Sequence, residues 1–195
     1  MKTIAEILFD PALSLENDRV RLRMVKLDDL EQLKTIALDP SIWTWFTSEI
    51  RDETDMLASI CDAMVDFSNK TRVPFVSIDK GTGRIVGMSS LGNISIADKR
   101  IEIGWSWLST DVQGTGINQS YKSLLIDFVF ERLHFTRLEF KTDVLNIKAR
   151  KALLKIGSKE EGILRSHTQM HHNRRRDTIY YSILKEEWET SKNQL

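Results

Sequence analysis

The sequence predicts a mixed α+β domain, in which a mostly antiparallel sheet of about seven strands is flanked by about four helices. Several segments alternate apolar and polar residues as half-buried strands do, and short turns join the middle strands. Segments with apolar residues at spacings of three and four lie between the strands, as they do in mixed folds. The 195 residues are 41% hydrophobic, which suffices for one sizeable core, so we expect a single domain over residues 1–195.

The first half of the chain is predicted to form four strands and two helices. Alternation in RVRLRMVK, residues 19–26, indicates the first strand. Apolar residues at helical spacing predict one helix that ends before Pro40 and a second from about residue 53 to 68. Cys61, in the second helix, is expected to be a small buried side chain. Short turns separate the next three strands, which are therefore expected to be antiparallel neighbours: VPFVSIDK, RIVGMSSLGNI and RIEIGWSWLS.

The second half is predicted to alternate helices and strands. Helical spacing in DVQGTGINQSYKSLLIDFVFERL is followed by the alternating strand RLEFKTDVL. Asn146 opens a further helix, and Gly157 ends it. Two last strands, roughly residues 161–171 and 177–184, flank the polar turn HHNRRR.

Composition excludes several classes of function. Lysine plus arginine and aspartate plus glutamate each number 28, so no net field draws the chain to nucleic acid or to an anionic membrane. A single cysteine cannot form an internal disulfide, which fits a reducing compartment. The N-terminus resembles no signal peptide and no run reaches the roughly 20 apolar residues of a membrane span, so a cytoplasmic location is expected.

The segment DVQGTG, which leads from a strand into a helix, is the most informative part of the sequence. A helix N-terminus presents free backbone amides and a partial positive charge, both of which favour phosphate. Gly114 and Gly116 allow positive φ and close approach of a ligand to the backbone. The spacing matches neither a P-loop nor a dinucleotide fingerprint, and a plain tight turn is an equal alternative.

The longer stretch EIGWSWLSTDVQGTGINQSYKSLLIDFVFE resembles the acetyl-CoA-binding core of GNAT acetyltransferases, especially the RimJ/RimL-like branch. Two later segments, NIKARKALLKIGSKEEGILRSH and RDTIYYSILKEEW, are similar to that branch as well, so the resemblance covers about residues 15–189. The family pattern at the phosphate loop is Gln/Arg-x-x-Gly-x-Gly/Ala. Gln113 and Gly116 match this pattern, whereas Asn118 stands where the last small residue is usual.

The resemblance implies a site for acetyl-CoA as co-substrate. Strand 100–109 is expected to splay from strand 136–144, and the pantetheine arm is expected to lie in the gap as an added strand would. The residues implied in cofactor binding are Trp107, Leu108, Ser109, Gln113, Gly114, Thr115, Gly116, Ile117, Asn118, Asn146 and Lys151. For Lys151 and its neighbours Lys148 and Arg150, which are candidates for the ribose phosphate, a solvated helix face is the alternative.

Transfer of an acetyl group to an amine requires a base for the amine and a proton for the departing thiolate. Glu102 stands where some family members carry the base; the alternative is an outward-facing charge paired with Arg100 or Lys141. The tyrosine and serine that serve as acids in relatives are replaced by Leu153 and Ala149. Tyr181 is named as the candidate acid, with Tyr180, a water or an unprotonated thiolate as the other possibilities.

The acceptor side is predicted from aromatic residues. Trp43, Trp45 and Phe46 border the acceptor site of this fold and would clamp an amine or a peptide N-terminus, or else seal the edge of the core.

Two polar clusters are read as surface features. His167, His171 and His172 have no cysteine or carboxylate at ligand spacing, so a hairpin tip without metal is expected. The run of arginines from 174 to 176 lacks interleaved aromatics, which favours a solvated turn over RNA binding.

The expected function is acetyl-CoA-dependent N-acetylation of a primary amine. The alternative is a GNAT-fold protein that binds acyl-CoA as a sensor or partner without turnover, since both usual proton donors are replaced. A homodimer is implied by the resemblance alone.

Overall fold

A single eight-stranded sheet forms the centre of the computed structural model, which describes residues 2–192. Its strand order is β1-β2-β3-β4-β5-β6-β8-β7, and every neighbouring pair is antiparallel except β5 with β6. The strands are β1 (Ser14–Glu16), β2 (Val20–Met24), β3 (Arg72–Asp79), β4 (Ile85–Ser95), β5 (Arg100–Leu108), β6 (Arg137–Asp143), β7 (Lys159–Gln169) and β8 (Arg175–Leu184).

The predicted fold class is confirmed, with one strand more than expected. The extra strand, β1, is three residues long and has one buried side chain, Leu15, so it is too short to show alternation in the sequence. It extends the sheet by pairing with β2.

Six α-helices lie in the described part of the chain, against about four predicted. They are α1 (Ile4–Leu8), α2 (Leu30–Ala37), α3 (Glu53–Ser68), α4 (Ile117–Asp127), α5 (Ile147–Lys155) and α6 (Lys185–Lys192). The two additional helices, α1 and α6, are short and lie near the ends of the chain, where a pattern of two turns gives little signal. None of the helices in residues 2–192 has the length and apolar character needed to cross a membrane.

The sheet separates two apolar clusters. On one face, α4 packs on the central strands, so that Tyr121 and Leu125 join Ile101, Ile103 and Phe140 in one core. On the other face, α2 and α3 cover β3 and β4, and this second core includes Trp43 and Trp107. Because side chains alternate along a strand, each central strand sends neighbouring residues to opposite sides of the sheet.

The expectation that Cys61 is buried is wrong, because its side chain is exposed. α3 lies on the sheet along a narrow stripe of Met56, Ile60 and Ala63, which are all buried. Cys61 falls one position beyond that stripe, on the solvent side. A helix of mixed character contains more apolar residues than its contact face can cover.

Candidate active site

The two parallel strands at the centre of the sheet separate soon after they meet. β5 and β6 pair only between Arg100–Glu102 and Arg137–Glu139. Within residues 2–192 no further residue pair joins these strands, although β5 continues to Leu108 and β6 to Asp143. The predicted splay is therefore present, and the β6-facing edge of β5 is available to an extended ligand.

A bulge at Trp105 accompanies the splay. Trp105 has a φ of 51°, and the register between β4 and β5 shifts between Met88 and Ser90. The Trp105 ring lies over Gly92, where a Cβ atom would stand 2.5 Å from the ring, and the Arg72 guanidinium is 5.1 Å from the ring centroid. β-Bulges re-aim side chains, and here the Trp105 ring is directed onto Gly92.

The loop after β5 brings several backbone amides together. Gly114 and Gly116 have φ values of 83° and 92°, which confirms the predicted positive φ, and Gly116 is the N-cap of α4. Among residues 2–192, no group accepts a hydrogen bond from the amides of Gly114, Gly116, Ile117, Asn118 and Gln119. We call these five amides the amide cradle. Their partial positive charge and the α4 dipole make the cradle suited to an anion such as a phosphate.

Side chains at the rim of the amide cradle are basic. A Cβ atom on Gly116 would lie 2.9 Å from Nη1 of Arg19, so the guanidinium stands beside the cradle. Lys148, on the first turn of α5, donates a hydrogen bond to Oε1 of Gln113. Nε2 of Gln113 donates in turn to the carbonyl of Leu108, at 3.1 Å. Gln113 thus links the end of β5, the loop and α5, which holds the cradle in place.

The other predicted cofactor residues occupy varied positions. Trp107 and Leu108 are buried at the end of β5, and the amide of Ser109 donates to the carbonyl of Val86. Asn146 is the N-cap of α5, and its Oδ1 accepts from the amide of Ala149 at 3.0 Å. Lys151 is exposed on α5, not far along the helix from Lys148.

Glu102 is buried on the face opposite α4, with 2% of its surface exposed. Its Oε2 accepts a hydrogen bond from Nδ2 of Asn93 at 2.7 Å and lies 3.0 Å from Nζ of Lys141. Pairing with Lys141 was the alternative left open by the sequence, but the carboxylate points into a cavity and not outward. The contacts with Asn93 and Lys141 fix the orientation of the carboxylate.

The cavity beside Glu102 has a volume of about 620 Å³ and opens to solvent. Its lining is polar and carries charges of both signs from β5 and β6, including Arg100, Glu139 and Lys141. Tyr180 of β8 lines the same cavity.

Tyr181 lies on the other side of the sheet from Glu102. It is fully buried in the core beneath α4, and its hydroxyl accepts a hydrogen bond from Nε of Arg150 at 3.1 Å. The two residues predicted as base and acid are therefore not in one pocket. Arg150, a candidate for the ribose phosphate, also donates to the carbonyl of Val144 and pairs with Glu160 at 3.6 Å, so its half-buried guanidinium is already engaged within the fold.

Sequence reasoning missed two polar residues of α4 that lie next to the splay. Tyr121 is buried beside Ser106 and Ser89, with which its hydroxyl forms hydrogen bonds, and burial raises the pKa of Tyr121 to about 12. Lys122 is 8% exposed and its Nζ is 5.8 Å from the centroid of the Phe140 ring; burial lowers the pKa of Lys122 to about 8. The sequence did contain a signal, since Lys122 precedes Leu125, Ile126 and Val129 at helical spacing on the apolar stripe.

The aromatic residues of the segment between α2 and α3 divide between core and surface. Trp43 is buried, packs against Trp107 at 5.4 Å between ring centroids and donates its indole N–H to the carbonyl of Ala37 at 2.7 Å. This placement favours the packing role for Trp43. Trp45 and Phe46 are half-buried.

The β7–β8 hairpin tip places two histidines against the same segment. Nε2 of His171 lies 3.3 Å from the carbonyl of Trp43, and its Nδ1 is 3.6 Å from Oε2 of Glu49. Metal-ligating atoms of Glu49, His171 and His172 all lie within 4.8 Å of one another, so these three could hold a metal ion. The carboxylate that was missing at ligand spacing in the sequence thus comes from a distant loop.

The arginines of the same hairpin contact the fold. Arg174 pairs with the buried Asp143, Arg175 donates to Ser166, and Arg176 donates to Oγ1 of Thr178. The expectation of a solvated turn is wrong for Arg176, which is buried, and Arg174 contacts a buried carboxylate, because the hairpin folds back onto the end of β6.

A splayed β5–β6 pair followed by a glycine loop and a helix N-terminus is the arrangement expected of a GNAT enzyme. Residues 19–159 match the acetyltransferase (GNAT) domain family. The chain therefore belongs to the GNAT family and is an acetyltransferase.

One similar protein has a name that specifies a class of substrate. The chain is 37% identical over 185 residues to the "Putative ribosomal N-acetyltransferase YdaF" of Bacillus subtilis (strain 168), a match that covers 90% of this chain and 97% of that protein. A GCN5-related N-acetyltransferase from Brucella melitensis is 24% identical with a TM-score of 0.86, over 93% of this chain and 83% of that one. RimJ of Mycobacterium smegmatis, solved in complex with CoA-disulfide, is 22% identical with a TM-score of 0.77, over 90% and 87% of the two chains. At these identities the two structures show a shared fold.

Proposed function

We propose that this chain, acting as a single domain, transfers the acetyl group of acetyl-CoA directly to the primary amine of a protein N-terminus. The observation that carries the proposal is the amide cradle, which adjoins the end of the splayed strand β5. A diphosphate in the cradle and an extended arm along β5 would together occupy the two unpaired backbone surfaces of this region.

The residues around the splay fit acetyl-CoA. The amides from Gly114 to Gln119 would bind the diphosphate, and a side chain at position 116 would meet Arg19, so glycine suits that position. Basic side chains of Arg19, Lys148 and Lys151 would face its phosphates. Backbone groups of Trp107, Leu108 and Ser109, other than the Leu108 carbonyl and the Ser109 amide that Gln113 and Val86 engage, would pair with the pantetheine arm. Asn146, whose Oδ1 caps α5, would offer its Nδ2. When bound, acetyl-CoA supplies a thioester carbonyl that a neutral amine can attack.

Glu102 would act as the base from the cavity face of the sheet. Its carboxylate is held by Asn93 and Lys141, so it is oriented before the acceptor arrives. It lies at the last residue pair before β5 and β6 separate, which places it beside the opening. A proton taken from the amine could pass from Glu102 to solvent through the open cavity.

The acceptor is proposed to be the N-terminus of a ribosomal protein. The name of the 37% identical relative supports this class, and a cavity of about 620 Å³ that is open to solvent suits the end of a peptide. Trp45 and Phe46, which are half-buried near the cavity side of the sheet, remain candidates for contact with the peptide.

Turnover is tested by incubating the protein with acetyl-CoA and a panel of N-terminal peptides and small amines, with free thiol as the readout. Glu102→Gln should lower kcat about 100-fold or more and leave acetyl-CoA affinity nearly unchanged, because the amide cannot accept the proton. Glu16→Gln, on the edge strand β1, is the matched control and should behave as the wild type. Binding of acetyl-CoA without thiol release from any acceptor would support the sensor alternative, and equal rates for wild type and Glu102→Gln would remove Glu102 from the mechanism.

A further inference from the structure

The residues that donate the leaving-group proton in related enzymes are replaced in this chain, and Tyr181 does not take their place. Its hydroxyl is engaged by Arg150 in the core. Glu102 and Tyr180 lie on the cavity side of the opening between β5 and β6, whereas the α4 side has no assigned proton donor. Tyr121 and Lys122 are buried titratable residues on that side that the proposed mechanism has not used. Burial raises the pKa of Tyr121 to about 12, which makes it the poorer proton donor of the two.

Lys122 has no carboxylate partner. Within residues 2–192 no carboxylate forms an ion pair with it, and burial is what lowers its pKa. Titratable groups on the same face are Tyr121, Tyr181 and Arg150. Burial raises the pKa of Tyr121 to about 12, and Tyr181 accepts a hydrogen bond from Arg150. Arg150 also donates to the carbonyl of Val144 and pairs with Glu160 at 3.6 Å. A buried lysine without a counterion is costly and needs an explanation beyond packing.

The position of Lys122 relates it to the opening. Tyr121 reaches β4 and β5 through Ser89 and Ser106, whereas Lys122 reaches β6, where its ammonium group stands over the ring of Phe140. Phe140 is the first residue of β6 beyond the last pair with β5. Two consecutive residues of α4 therefore contact the two strands on either side of the gap, and Lys122 lies beneath the place where they separate.

We propose that Lys122 is the general acid that protonates the CoA thiolate as it leaves; this rests on the acetyl transfer proposed above. The nitrogen lone pair of the amine forms a bond to the acetyl carbon, the carbon–sulfur bond breaks, and its electron pair remains on sulfur. A proton moves from Nζ of Lys122 to that sulfur, while Glu102 receives the proton lost by the amine. Water returns a proton to Lys122 and accepts one from Glu102, so the enzyme regains its starting state.

The proton affinities of donor and acceptor are matched. A thiol has an ordinary pKa of about 8.5, and the lysine that donates to it has a pKa of about 8 in this fold. Transfer between groups of similar pKa is close to neutral in free energy, which is the condition for effective acid catalysis near neutral pH. An exposed lysine would hold its proton too tightly for this role.

Lys122→Met and Lys122→Arg test the proposal, with Lys155→Met on the exposed end of α5 as the matched control. Thermal unfolding first establishes that each variant is folded. We expect kcat to fall about 100-fold in both Lys122 variants, with acetyl-CoA affinity by calorimetry changed less than about threefold. The wild-type kcat should fall above about pH 8 as Lys122 loses its proton, and this alkaline limb should be absent in Lys122→Met.

The arginine variant separates proton transfer from charge. A guanidinium keeps the positive charge but does not release a proton near neutral pH, so full activity of Lys122→Arg would overturn the proposal in favour of electrostatic stabilisation. A higher KM for acetyl-CoA with an unchanged kcat, or retention of the alkaline limb in Lys122→Met, would overturn it too. Absence of turnover by the wild type would refute acetyl transfer and this role together, whereas wild-type turnover with an active Lys122→Met refutes only the role of Lys122.

Discussion

Replacement of Lys122 by methionine should stabilise the protein at neutral pH. Burial lowers the pKa of Lys122 from its ordinary 10.5 to about 8. Each tenfold change in proton affinity corresponds to about 1.4 kcal/mol, so the buried ammonium costs the folded state about 3 kcal/mol at pH 7. The contact with Phe140 recovers up to about 1 kcal/mol of this cost, which leaves a net gain of about 2 kcal/mol for an apolar side chain of similar length.

The difference in stability between the wild type and Lys122→Met depends on pH, because Lys122 has different pKa values in the folded and unfolded chains. Below about pH 8 both the folded and unfolded chains carry the lysine proton, so the folded state bears the full cost. Between about pH 8 and 10.5 the unfolded chain binds the proton and the folded chain does not, so wild-type stability rises relative to the variant. The advantage of Lys122→Met should narrow by more than half between pH 7 and about pH 9.5.

Urea unfolding and thermal unfolding of both proteins at a series of pH values measure the difference in stability between the wild type and Lys122→Met. At pH 7 the melting temperature of the variant should be higher by roughly 4–8 °C. A variant less stable than the wild type, or a difference that does not change with pH, would refute the reasoning, because either result means that the ammonium is solvated or paired in the folded protein. Lys155→Met, at an exposed position, should show neither effect.

Two further changes test the site and its surroundings. Gly116→Ala should lower the free energy of unfolding by roughly 1–2 kcal/mol and weaken acetyl-CoA binding, because φ is 92° and the new Cβ meets Arg19. Gly81→Ala, in a turn without positive φ, is the control. Equal acetyl-CoA affinities of the wild type and Gly116→Ala by calorimetry would contradict the role of the amide cradle. Trp43→Phe should lower the free energy of unfolding, measured in urea, by about 1–2 kcal/mol because the buried carbonyl of Ala37 loses its donor. The KM for the acceptor should not change, and a large rise in that KM would instead show that Trp43 contacts the acceptor.

The sequence was most informative where local chemistry decides the structure. Positive φ at Gly114 and Gly116 could be predicted because a turn into a helix N-terminus requires it, and the alternation in β2 was sufficient to place that strand. β1 could not be predicted, because a three-residue strand with one buried side chain has no period to detect.

Features that depend on tertiary contacts were not predictable from local patterns. Glu49 meets His171 across 122 positions of sequence, so no ligand spacing could indicate the pair. The face of Tyr181 depends on the register of β6 with β8, where Tyr181 lies opposite Phe140 and Tyr180 opposite Lys141. A shift by one residue would exchange the two tyrosines between the faces of the sheet.

The alternation of β5 explains why a base and an acid on opposite faces suit the proposed reaction. Ile101 and Ile103 turn toward α4, so Glu102 between them must face the cavity. Within residues 2–192, β5 and β6 are unpaired beyond Glu102 and Glu139, and the proposed reaction takes place in this opening. An amine that enters from the cavity meets Glu102, and a thiolate that leaves toward α4 meets Lys122. Lys122 and Glu102 lie on opposite faces of the sheet, so the proposed acid and base do not pair with each other, and the cation that contacts Glu102 is Lys141.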